Sequence, residues 1–83
     1  MPTYLVEAYA QSREAALEEA RRCAERVHDH DPRVRYVRTT FLPDDELALH
    51  VFEAPSLEAL DRAGRLAALP FERITEAVEA PGA

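Results

Sequence analysis

The stretch from Val34 to Ile74 constrains this chain most, because strand, turn and helix signals follow one another there with hardly a residue between them. Val34 to Leu42 and Glu46 to Glu53 read as two strands joined across Pro43-Asp44-Asp45. Ala54-Pro55-Ser56 stops the second strand and supplies Ser56 as a helix N-cap. Leu57, Leu60, Ala63, Gly64 and Ala67 then recur at helical spacing until Leu69-Pro70, and Phe71 to Val78 follows as a strand. Upstream, Thr3 to Tyr9 alternates, with Tyr4, Val6 and Ala8 on one face and Leu5, Glu7 and Tyr9 on the other. Ser12 caps a helix whose apolar stripe runs through Ala16, Leu17, Ala20, Cys23, Ala24 and Val27, and Pro32 closes it off. The whole order is β-α-β-β-α-β.

Two β-α-β units separated by a hairpin predict an α+β, ferredoxin-like domain over residues 1–83. Right-handed crossovers put both helices on one face of a four-stranded antiparallel sheet, with the first and third strands at its centre. Residues 79–83 read as a frayed tail. A chain of 83 residues buries only about 60% of the surface its unfolded form exposes. Association is therefore expected, and a homodimer closing two open sheet faces into an α+β barrel is the natural form. Gly64 costs about 1 kcal/mol in a helix interior, a cost that close approach of the second helix to the sheet would offset.

The hairpin register decides which side chains share a face. A three-residue loop pairs Phe41 with Leu47, Thr39 with Leu49 and Val37 with Val51, gathering the apolar residues toward the helices. The opposite, open face then carries Tyr36, Arg38, His50 and Phe52 beside Leu5, Glu7 and Tyr9. That is too much apolar and aromatic surface for a monomer to leave wet. On this reading Glu7 and His50 are near neighbours, with Arg38 opposite His50. A carboxylate beside an imidazole fixes its tautomer and raises its basicity, which suits metal ligation or general base work. The bland alternative is a Glu7–Arg38 ion pair with His50 as an ordinary interface residue.

Composition excludes several classes. Net charge is −6 and every basic residue is Arg, without clustering, so nucleic acid is not an expected partner. No apolar run approaches the roughly 20 residues needed to cross a bilayer. The N-terminus enters a strand at once without a signal-peptide pattern, so a cytoplasmic location is expected. Cys23 is the single cysteine, which removes intrachain disulfides and multi-cysteine zinc sites, and its place on the apolar stripe reads as a buried small hydrophobe. The His28-Asp29-His30-Asp31 run offers imidazole and carboxylate groups that could coordinate a metal, although the dipole at a helix C-terminus by itself favours histidines there.

Tyr4-Leu5-Val6-Glu7, Val34 to Thr40, His50-Val51-Phe52-Glu53-Ala54-Pro55 and Leu69-Pro70-Phe71-Glu72-Arg73-Ile74 together carry a family likeness. In these motifs the chain resembles the small bacterial nickel-binding-protein-like domains. The resemblance implies a ferredoxin-like fold, a dimer and a divalent metal such as nickel. The chain departs from the pattern at two positions: the family commonly has a cysteine where His50 stands and a histidine where Ala63 stands. Nickel ligation therefore does not carry over residue by residue, although His50 remains a capable ligand.

Three functions follow as expectations. The first is a dimeric protein holding a metal ion or small ligand on the open sheet face, with His50 and Glu7 as polar contacts. The second is a cofactor-free enzyme of the dimeric α+β-barrel kind, a monooxygenase, cyclase or isomerase. There His50 serves as acid and base, Arg38 steadies an oxyanion, and Tyr9 or Tyr36 orients the substrate. The third is a structural partner protein whose open face meets another chain.

Overall fold

A computed structural model of the chain describes residues 1–78; the expected frayed tail at 79–83 lies outside the described residues. The elements are β1 (Thr3–Tyr9), α1 (Arg13–His30), β2 (Arg35–Leu42), a 3-10 turn (Pro43–Asp45), β3 (Leu47–Glu53), α2 (Leu57–Leu66) and β4 (Arg73–Ala77). The strands form one antiparallel sheet in the order β2-β3-β1-β4. This is the ferredoxin-like α+β fold, with β1 and β3 central. No helix among the described residues is long and apolar enough to cross a membrane.

Each helix begins as its sequence dictates. Ser12 Oγ accepts the Ala15 N–H at 3.1 Å and Ser56 Oγ accepts the Ala59 N–H at 3.1 Å, each bond satisfying one of the N–H groups that a helix start leaves unpaired. α1 runs through His28 and His30, both exposed, before extended backbone at Asp31. The Arg33 side chain clamps the Asp31 carboxylate through Nε at 3.0 Å and Nη2 at 2.8 Å. That guanidinium holds the Asp31 carboxyl down to about 2. α2 ends in a left-handed turn: the Leu69 N–H reaches the Gly64 carbonyl and the Ala68 N–H reaches the Arg65 carbonyl, with Ala68 at φ 56°.

The sheet's helix-covered face carries Tyr4, Val6 and Ala8 from β1, as the alternation predicts. Directly opposite on β3 are Phe52, His50 and Ala48 respectively, and paired residues of adjacent strands share a face. Placing Tyr4, Val6 and Ala8 inward therefore forces Phe52, His50 and Ala48 inward too. The helices accommodate the two large rings by presenting small side chains there: Ala16, Ala20 and Cys23 from α1, Ala59, Ala63 and Gly64 from α2. A Cβ added to Gly64 would stand 2.6 Å from the Phe71 ring, so this glycine makes room for a side chain of the connection leading into β4 rather than for the sheet itself.

Two features overturn the expected hairpin register. The connection has four residues, since Glu46 sits in the left-handed region at φ 50° and Leu42 pairs with Leu47. A β-bulge at Val37 then absorbs the extra residue between Tyr36 and Arg38. Tyr36 still faces Phe52, but Thr39 lies opposite His50 and Arg38 opposite Val51. Consequently His50, Phe52 and Tyr36 belong to the helix side rather than the open face. Leu47 and Leu49 take their place on the open face, beside Leu5 and the exposed Tyr9. Thr39 and Phe41 keep the helix-side position expected of them.

Candidate functional site

His50 is fully buried between the sheet and α1, and both ring nitrogens are engaged. Nε2 is 3.0 Å from Glu19 Oε1, and Nδ1 is 2.7 Å from Thr39 Oγ1. Tyr36 Oη lies 2.7 Å from the same threonine oxygen. With the proton of a neutral imidazole on Nε2, the bonds run in one direction. His50 donates to the Glu19 carboxylate, Thr39 donates to His50, and Tyr36 donates to Thr39. No buried side-chain polar atom among the described residues lacks a partner, which is what a polar group in the core requires.

Three elements converge to make this arrangement. α1 brings Glu19 and Cys23 to one side, four residues apart and hence one turn apart on the same face. β3 brings His50, and β2 brings Thr39 opposite it. Donor atoms of Glu19, Cys23 and His50 all lie within 4.8 Å of one another, and all three residues are buried. Burial pushes the Cys23 thiol up to about 12, with the nearby Glu19 charge adding to the effect. The thiol is therefore protonated and inert as it stands.

Of the residues singled out in the sequence, the structure joins His50 and Tyr36, through Thr39. The other three lie apart from them. Glu7 is on the opposite face, paired with Leu49 and Arg73 across the sheet, its carboxylate 3.7 Å from Arg73 Nε. It is not a neighbour of His50, because β1 sets Val6 against His50. Arg38 is exposed on the open side, and Tyr9 there is 67% exposed. The proposed catalytic group of His50, Arg38, Tyr36 and Tyr9 is thus split between two faces of the sheet. Ala63 is buried in α2, within the core cluster that also holds Cys23 and Phe52. His28 and His30 stay exposed on the last turn of α1, outside the Glu19–Cys23–His50 group.

Glu19 and Cys23 were missed as chemistry, though Cys23 was placed correctly as buried. The signal for Glu19 was present: it lies on the stripe formed by Ala16, Ala20, Cys23 and Val27, where an acid is out of pattern. Thr39 carried no signal without the bulge.

A cleft of about 520 Å³ opens beside this network. The first turns of α1 form one wall, through Gln11, Ser12, Arg13, Ala16 and Leu17, and Thr39, Phe41 and Pro43 form the other. Thr39 is common to the cleft lining and the buried hydrogen-bond chain.

No protein-family model matches the chain, and no curated protein matches it. Among solved structures, the crystal structure of SCO4226 from Streptomyces coelicolor A3(2) is similar, with a TM-score of 0.74 at 15% sequence identity. The match covers 95% of this chain and 99% of that one. At such identity the likeness establishes the fold.

Proposed function

We propose that this chain is a small cytoplasmic metal-binding protein, dimeric through its open sheet face, that holds a divalent ion such as nickel or zinc at Glu19, Cys23 and His50. The observation that carries the reading is the convergence of one oxygen, one sulfur and one nitrogen donor within 4.8 Å, all on buried residues. Bond lengths of about 2.0–2.3 Å to such donors place them about 3.5 Å apart around an ion, so the widest pair allowed by the 4.8 Å spread would close by roughly 1 Å. Imidazole and thiolate favour borderline ions of the nickel and zinc kind over magnesium or calcium. With Nε2 on the ion, the ring proton would move to Nδ1 and be donated to Thr39 Oγ1, the outer support that a metal-bound histidine needs.

The family likeness supports the same reading in altered form. The nickel-binding-protein-like pattern has a cysteine at the position of His50; here Cys23 brings a thiol to His50 from the neighbouring helix. The ion lies between α1 and the sheet on this account, not on the open face, and Glu7 takes no part.

Calorimetric titration with nickel and with zinc tests the proposal. One ion per chain is expected in the native sequence, with binding lost in Cys23→Ala and in His50→Ala and weakened in Glu19→Gln. Absence of binding by both ions, or binding that survives Cys23→Ala at full strength, would overturn it.

A further inference from the structure

The cleft beside α1 has the size and lining of a small-molecule site, and its charge is selective. Its volume of about 520 Å³ falls within the range of roughly 300–1,000 Å³ that such sites occupy. Ala16, Leu17, Phe41 and Pro43 supply an apolar surface, and Leu17 is left 55% exposed although it belongs to the apolar stripe of its helix. Polar groups are few: Gln11, Ser12, Arg13 and Thr39. The Ser12 hydroxyl already caps α1, which leaves Arg13 as the charged contact.

The chain carries 16 acidic residues against 10 basic ones, yet among the described residues no carboxylate lines this cleft. Asp45 and Glu46 line a separate hollow beyond Gln11. A lone guanidinium over an apolar floor, in a protein of net charge −6, is complementary to one class of occupant. We infer that the cleft binds a small amphiphilic monocarboxylate, its anionic head at Arg13 and its apolar body against Leu17, Phe41 and Pro43. An amine of the same shape would meet the guanidinium as a like charge, and a neutral alcohol would forgo the charge-assisted bond.

This inference goes beyond the metal site and is tested without a metal. Isotope-labelled protein in chelator is titrated with benzoate, and in parallel with benzylamine and benzyl alcohol, while backbone amide resonances are followed. Benzoate is expected to shift the amides of residues 11–17, 39 and 41, to bind at least tenfold more tightly than either isostere, and to weaken as salt is added. Arg13 is an exposed residue of the first helical turn, so Arg13→Glu should fold normally and bind benzoate at least tenfold less well. The inference is overturned if benzoate leaves those amides unmoved, if benzylamine binds equally well, or if Arg13→Glu binds benzoate with native affinity. Metal uptake is read separately by calorimetry without benzoate, so either result stands alone.

Discussion

At the scale of single residues, the site rests on a stripe position that breaks its own pattern. Glu19 occupies the buried face of α1 because His50 is there to receive it, and His50 tolerates complete burial because Thr39 and Glu19 satisfy both nitrogens. The Cys23 thiol completes the donor set at an energetic cost that pH controls. Its proton is held up to about 12 by burial first and by the Glu19 charge second. The free protein is thus protonated at Cys23 across the neutral range, and an ion bound at the proposed site would have to displace that proton. Affinity should therefore rise about tenfold per pH unit between pH 6 and 8 from this group alone. Calorimetry across that range checks the slope; an affinity independent of pH would mean that no thiol proton is displaced.

At the scale of elements, the six helices and strands were legible because each carries local punctuation: Ser12 and Ser56 as caps, Pro32, Pro55 and Pro70 as stops, and alternation in β1. The register of the hairpin was not. Both faces of β3 are apolar enough to be buried, since Leu47, Leu49 and Val51 alternate with Ala48, His50 and Phe52. The pattern alone cannot orient such a strand, and the decision lies in long-range pairing with β1 and in a bulge at Val37 that leaves Val37 and Arg38 both exposed. One inverted face moved His50 from solvent to core and separated it from Glu7. The end of α2 holds a local conflict that can be measured. Ala68 adopts the left-handed conformation of a helix-terminating turn, where glycine avoids a steric cost of about 1 kcal/mol. Ala68→Gly should therefore raise stability by up to about 1 kcal/mol in denaturant unfolding; a loss of stability would show that the turn is held by something other than its backbone geometry.

At the scale of the whole molecule, correcting the register strengthens the case for association. Leu5, Leu47 and Leu49 from the two central strands now share the open face with Tyr9, around the Glu7–Arg73 ion pair, and apolar side chains gathered on one uncovered face favour an interaction site there. Phe52, expected to anchor that face, is instead fully buried in the core. Light scattering should give a dimer for the native chain and a monomer for Leu49→Asp, with circular dichroism unchanged. A native monomer, or a Leu49→Asp dimer, would show that the second copy does not dock on this face.

The central claim is that the buried oxygen, sulfur and nitrogen donors hold one ion together, and it is tested most directly by the thiolate itself. Adding cobalt(II) or nickel(II) to the reduced protein should produce thiolate-to-metal charge-transfer absorption in the near ultraviolet, saturating at one ion per chain and absent in Cys23→Ala. Stoichiometric loading with no such band, or the same band in Cys23→Ala, would contradict the account.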